Sequence, residues 1–207
     1  RIDNIEELTQ ELLDDHHHFA ELSDSKINAT ELVAILIGLK ESIKEGIELV
    51  YEKIKGSCSM LVLTDHAIYA ARDKFGRTPI TIGKNEKGYV CASESSSFDN
   101  LGYDFVRDLG PGEIVRMTAD GIHQVKAPGK RKQVCSFLWV YYGYPSAWYE
   151  GINVEDSRYR CGAAMARRDT DIEPDFAAGI PDSGVGHAIG YSNEMGIPYK
   201  RPFVKYT

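Results

Sequence analysis

The sequence predicts an α+β fold: a helical first third, then short antiparallel strands, then the opening of an α/β unit. Three observations carry that prediction. Apolar residues recur at helical spacing through Ile54. From Ser57 the pattern shortens to brief apolar runs bounded by Gly, Asp or Asn. Beyond Lys132 the order becomes strand, small-residue loop, helix, strand, which is the start of a parallel sheet.

The helices come first. Ile5, Leu8 and Leu12 share a face, and Asn4 with Glu7 reads as a capping box. Asn28 and Glu31 repeat that signature before the apolar run 32–37, and Ile43, Ile47, Val50 and Ile54 form the stripe of a third helix. Between the first two helices His16, His17 and His18 stand together, but adjacent side chains on a helix diverge, so a solvated loop or helix end is expected rather than a metal site. Strands are expected at 60–63, 67–70, 79–82 and 89–92, joined as an antiparallel meander. Turns at 110–112 and 120–121 flank a further strand at 113–117. The basic, proline-containing stretch 126–132 reads as a linker. After it come an aromatic segment at 137–144, a helix at 154–168, a strand at 176–180, a helix through Ala188, Ile189 and Tyr191, and a strand around 202–204.

Composition narrows the function. The 207 residues are 43% hydrophobic and 27% charged, as in a globular chain with a buried core. With 31 acidic against 24 basic residues the net charge is −7, so the basic footprint of a nucleic-acid binder is missing. The apolar stretch 32–39 is too short to span a bilayer, and no membrane partner is expected. The chain opens at Arg1 without a signal peptide and closes inside an expected strand, so both ends read as cuts through a longer protein. Cys58, Cys91, Cys135 and Cys161 fit no metal spacing, which implies a reduced, cytoplasmic setting with mostly buried thiols.

The loop Pro181-Asp182-Ser183-Gly184 carries the chemistry. A small-residue turn between a strand and a helix start presents backbone N–H groups to an anion such as phosphate. Ser183 adds a hydroxyl within reach of a phosphate or a hydrated metal, at the strand end where open α/β sheets bind ligands. An ordinary βα turn is the structural alternative.

Several motifs then line up. Arg72-Asp73-Lys74-Phe75-Gly76-Arg77-Thr78-Pro79 resembles the Arg-Asp-x-x-Gly-x-x-Pro turn of the amidophosphoribosyltransferases, also called glutamine phosphoribosylpyrophosphate amidotransferases. Ala92-Ser93-Glu94-Ser95, Pro111-Gly112-Glu113, the segment 135–154, Pro181-Asp182-Ser183 and Gly196-Ile197-Pro198-Tyr199 are similar to further motifs of that family, in its order and spacing. The resemblance implies a partial amino-terminal-nucleophile glutaminase sandwich over 1–128, then the first part of a type I phosphoribosyltransferase domain over 133–207. It also implies the activity. Ammonia from glutamine displaces pyrophosphate from 5-phosphoribosyl pyrophosphate (PRPP), giving 5-phosphoribosylamine for purine synthesis. Asp182, Ser183 and Gly184 would form the pyrophosphate loop, with Ser183 near a PRPP-borne Mg2+. Purine nucleotides would act as feedback inhibitors, and a homo-oligomer is expected.

The departures are specific. No residue here matches the amino-terminal Cys nucleophile, so no catalytic residue is expected in this span and the chain alone should be inactive. The family's acid for the glutamine amine aligns with the stretch Asn28-Ala29-Thr30-Glu31, with Asp24 as a substitute after a loop shift. Tyr144 and Ser146 stand where the family has Arg and Asp. Cys135 matches a cysteine that ligates a [4Fe-4S] cluster in some members, and a buried structural thiol is the favoured reading. The run Val154-Glu155-Asp156-Ser157-Arg158 imitates a ribose-phosphate motif, but its register makes it a helix start. Two alternatives remain: a non-catalytic regulatory paralogue binding nucleotide or PRPP, or a class II glutamine amidotransferase with another acceptor.

Overall fold

A computed structural model describes residues 1–20, 22–23 and 26–206. The chain divides into two compact units, residues 1–93 with 105–134, and residues 94–104 with 135–207.

The first unit begins with α1 (Ile5–Asp14), a minimal hairpin of β1 (Leu22–Ser23) and β2 (Lys26–Ile27), then α2 (Ala29–Gly38) and α3 (Ile43–Lys53). Their stripes bury Leu8, Leu12, Leu32, Leu36, Ile47 and Val50 in one core, as the helical periodicity requires. The helix starts differ from expectation at Asn4. Its side chain leaves α1 uncapped and reaches the end of α3, donating to Lys53 O at 3.0 Å and accepting from the Lys55 amide at 2.8 Å. A tertiary partner with two unpaired backbone groups has displaced the local cap. Asn28 does cap α2, through the Thr30 amide at 2.8 Å. Ser42 caps α3, accepting from the Glu45 amide at 3.2 Å and donating to its carboxylate at 2.7 Å.

Seven strands follow in two sheets rather than one meander. β3 (Met60–Leu63), β4 (Ile68–Ala71), β8 (Ile114–Thr118) and β9 (Gly121–Lys126) form an antiparallel sheet in the order β3-β4-β8-β9. β5 (Thr81–Asn85), β6 (Gly88–Ala92) and β7 (Asp104–Asp108) form the other, ordered β6-β5-β7. Neighbouring residues of a strand face opposite sides, and the larger sheet uses both. Ala71 and Ile114 join the helical core, while Ala70, Val115 and Met117 join a second core with Ile80, Ile82 and Leu109. The first unit is therefore layered helix, sheet, sheet, and a central sheet with two apolar faces cannot be a free-standing meander.

The second unit contains α4 (Ser96–Leu101), a π-helical turn at Leu138–Tyr142, the hairpin of β10 (Trp148–Tyr149) and β11 (Ile152–Asn153), α5 (Val154–Ala166) and α6 (Gly184–Met195). Glu150 and Gly151 turn that hairpin with φ of 55° and 77°, the pair of left-handed residues a two-residue turn requires. Asn153 caps α5 by accepting from the Asp156 amide at 3.0 Å, so 154–158 is a helix start, as its register predicts. The expected strands at 176–180 and 202–204 do not form. Ala177 and Tyr199 make a single parallel bridge, and residues 201–206 are irregular and exposed. A strand exists only by pairing, and no neighbour among the described residues pairs with these segments beyond that bridge.

Candidate functional site

The predicted loop leads into the N-terminus of α6. The Gly184 amide donates to Ile180 O at 3.0 Å and the Val185 amide to Asp182 O at 3.3 Å, while the Pro181–Asp182 peptide is cis. Two amides are thus held within the turn. Among the described residues those of Asp182 and Ser183 have no backbone acceptor, and the Ser183 side chain does not cap α6. That leaves, among the described residues, two N–H groups without a backbone acceptor and one hydroxyl at a helix N-terminus, a set chemically suited to phosphate oxygens. At Gly184 an added Cβ would make only ordinary contacts, with Gly179 and Ile180 at 3.7 Å, so packing within the protein does not itself require glycine there.

Asp182 and Ser183 line an open cavity of about 770 Å³ within the second unit. Its other walls include Tyr141, Tyr142, Glu94 and Arg158. Asp182 is exposed and accepts from Lys205 Nζ at 3.0 Å, a solvated pair of small energetic weight. Arg158 is buried and turns inward to the backbone, donating to Trp139 O at 2.9 Å, Tyr141 O at 3.1 Å and Gly143 O at 2.7 Å. It fixes the aromatic segment, whose carbonyls have no ladder to join. Glu94 and Arg158 carry no site assignment from sequence. Glu94 closes a strand motif and Arg158 lies in a helix start, so only the fold brings them to this wall.

The turn at 72–79 is structural in its geometry. The Arg72 guanidinium, 1% exposed, donates to Leu109 O and to Gly76 O, the latter at 2.6 Å. Asp73 Oδ2 accepts the Phe75 amide at 3.0 Å and the Arg77 amide at 2.9 Å. Arg77 donates to Gly56 O at 2.8 Å and to Gln133 Oε1 at 2.9 Å. Glu113, also 1% exposed, receives Arg107 through both oxygens at 2.8 and 3.0 Å, the Gly110 amide at 2.7 Å and Gln124 at 2.8 Å. Burial opposes ionisation of Glu113, yet these donors outweigh it and hold the carboxyl below its ordinary range.

The cysteines correct one expectation. All four are free, but Cys135 is exposed and the other three are only partly covered, so the thiols are not mostly buried. Cys135 lies between the linker and the π turn, where nothing regular covers it. Burial raises the Cys58 and Cys91 thiols above their usual range, which makes them poor nucleophiles. An iron–sulfur cluster needs four thiolate ligands. Among the described residues no three His, Cys, Asp or Glu side chains converge as a metal site, so this span does not by itself fit a cluster. Asn28 caps α2 and Ala29 opens it, placing the glutamine-amine register at a helix start, while Asp24 lies outside the described residues. No described helix is long and apolar enough to cross a membrane.

Comparison with known proteins agrees with this architecture. A family described as "Glutamine amidotransferase domain" matches residues 1–100. An amidophosphoribosyltransferase of Archaeoglobus fulgidus is 34% identical over 203 residues, 98% of this chain and 44% of that protein. One of Bacillus subtilis is 31% identical over 209 residues, covering 98% of this chain and 42% of its own length. Among solved structures, the glutamine PRPP amidotransferase of B. subtilis complexed with ADP and GMP superposes with a TM-score of 0.87 at 30% identity, over 99% of this chain and 44% of that one. A structure described as the allosteric regulatory enzyme of purine biosynthesis superposes with a TM-score of 0.85 at 28% identity, over 100% of this chain and 46% of that one. The chain thus spans less than half the length of these relatives.

Proposed function

The chain belongs to the amidophosphoribosyltransferase family, and from that premise we propose that the intact protein carrying it moves glutamine-derived nitrogen onto PRPP, giving 5-phosphoribosylamine, pyrophosphate and glutamate. The observation that carries this is the loop at 181–184, with two amides that have no backbone acceptor among the described residues and a hydroxyl that does not cap α6, in an open cavity downstream of a helix–sheet–sheet unit of glutamine amidotransferase type. Residues 1–128 are assigned to the glutaminase part and 133–207 to the first part of the transferase domain. Asp182, Ser183 and Gly184 hold the pyrophosphate group. Mg2+ keeps most of its own water and binds mainly through substrate phosphates, so one hydroxyl from Ser183 suits it better than a protein cage. When bound it neutralises charge on the departing pyrophosphate. Four free thiols support a cytoplasmic location. Purine nucleotides are proposed as inhibitors because a solved relative holds ADP and GMP.

This span supplies no amino-terminal Cys, and its own cysteines lie at internal positions, so chain 1–207 alone is expected to hydrolyse no glutamine. Release of glutamate above the blank by the purified chain refutes that. For the intact protein the test is pyrophosphate release from PRPP with glutamine or ammonium as donor. Ser183→Ala is expected to raise the KM for PRPP about tenfold, one good hydrogen bond to a charged group. The departures at Tyr144 and Ser146 favour a second reading, a regulatory paralogue that binds PRPP without turning it over; binding by calorimetry with no product would select it.

A further inference from the structure

Glu94 stands on the wall of the cavity that holds the pyrophosphate loop, although its motif ends a strand of the other unit. The fold fixes it firmly. Tyr149 Oη donates to its Oε2 at 2.8 Å and Ser96 Oγ to its Oε1 at 2.5 Å. Tyr149 is buried and meets Trp139 edge-on at 6.0 Å. The next residue, Ser95, accepts from the Trp148 amide at 2.9 Å and donates to Trp148 O at 3.3 Å, tying this stretch to the β10–β11 hairpin.

The charge pattern of the cavity is what needs a use. Of its two lining acids, Asp182 is paired with Lys205. The side-chain partners of Glu94 are neutral hydroxyls, while the nearby Arg158 donates to backbone carbonyls. An unneutralised carboxylate repels a polyphosphate, so Glu94 suits no part of PRPP. It suits the other reactant. A nitrogen attacking C1 becomes positively charged as its lone pair forms the N–C1 bond and the C1–O bond breaks, with pyrophosphate leaving with that electron pair. The ammonium so formed must lose one proton to become the neutral amine.

We propose that Glu94 is a catalytic residue of the transfer step, accepting that proton, with Tyr149 and Ser96 as the residues that position it. The inference rests on the PRPP-transfer reading and deepens it. The intact protein is assayed first as wild type, for pyrophosphate release from PRPP with ammonium chloride; silence there refutes the reading and the inference together. Given activity, Glu94→Gln is expected to keep the KM for PRPP within about twofold and lose at least ~100-fold in kcat, the usual contribution of a positioned base. Glu94→Ala is expected to recover part of its rate in sodium formate, which supplies a small carboxylate, whereas Glu94→Gln is not. Tyr149→Phe, which leaves the carboxylate in place, is expected to lose less than Glu94→Gln. Calorimetric PRPP binding by each variant shows that the cavity is intact. A Glu94→Gln enzyme within threefold of wild type in kcat, absence of formate rescue, or a Tyr149→Phe defect as deep as Glu94→Gln overturns the proposal, while wild-type turnover leaves the function standing.

Discussion

Glu113 and Arg72 show how single side chains set the turns of the first unit. Each is buried and charged, and each satisfies backbone groups that no strand ladder reaches. Removing the Glu113 carboxylate leaves the Gly110 amide and Gln124 without their acceptor and one face of Arg107 unpaired. Glu113→Ala is therefore expected to cost about 2–4 kcal/mol in urea unfolding at pH 7, between a lost charged hydrogen bond and a broken buried pair. The pH dependence has a definite sign. Because the folded carboxyl is held below its ordinary range, its stabilisation is complete above the unfolded value and is lost as pH falls through the folded one. The stability gap between wild type and Glu113→Gln should thus narrow from pH 7 to pH 3; a constant gap rejects this. The Arg-Asp-x-x-Gly turn was legible because its function is local, with Asp73 bonding amides two and four residues on. Asn4 was not, because its partners lie at the far end of another helix.

Helices α5 and α6 meet through glycine. A Cβ at Gly162 would stand 1.9 Å from His187 O, and one at Gly190 would stand 2.1 Å from Tyr159 O. Both obstacles are backbone, so neither can swing aside, and the helices must separate. Gly190→Ala is expected to cost about 3 kcal/mol or more, the upper part of the overpacking range. Gly196→Ala is the control. It caps α6 at φ 69° with open space around it, so its cost is about 1–2 kcal/mol of left-handed strain alone. Equal melting shifts for the two variants would contradict a close crossing. The helices themselves were readable, α5 from the register that makes 154–158 a helix start and α6 from the small-residue loop before it. The sheets were less so. β7 and β9 interleave Asp, Arg, His and Gln with their apolar residues and lack the longer apolar runs that mark β3 or β6. The segments at 176–180 and 202–204 show the opposite error: apolar sequence without a paired neighbour does not make a strand.

The chain as a whole divides just past the change in composition, between Val134 and Cys135, except for one exchanged segment. The linker 126–132 looks like a simple boundary, yet residues 94–104 belong to the second unit and are covalently upstream of β7, β8 and β9. That also explains which half of the site was legible. The loop at 181–184 announces itself by local chemistry, whereas Glu94 reaches the same cavity only because α4 crosses over in sequence. The crossing has a mechanical consequence. Lys130, Arg131 and Lys132 are exposed in irregular chain, so brief trypsin treatment is expected to cut there, besides trimming the exposed segment at 200–206. The downstream piece then keeps its hold on residues 94–104 through the Ser95–Trp148 and Glu94–Tyr149 hydrogen bonds. The two pieces should co-elute on gel filtration in native buffer and part only in urea. Ser95→Ala combined with Tyr149→Phe removes both links, each worth about 1 kcal/mol, so the nicked double variant should separate at lower urea. Pieces that part in native buffer, or a double variant that holds together as well as wild type, would place residues 94–104 outside the second unit.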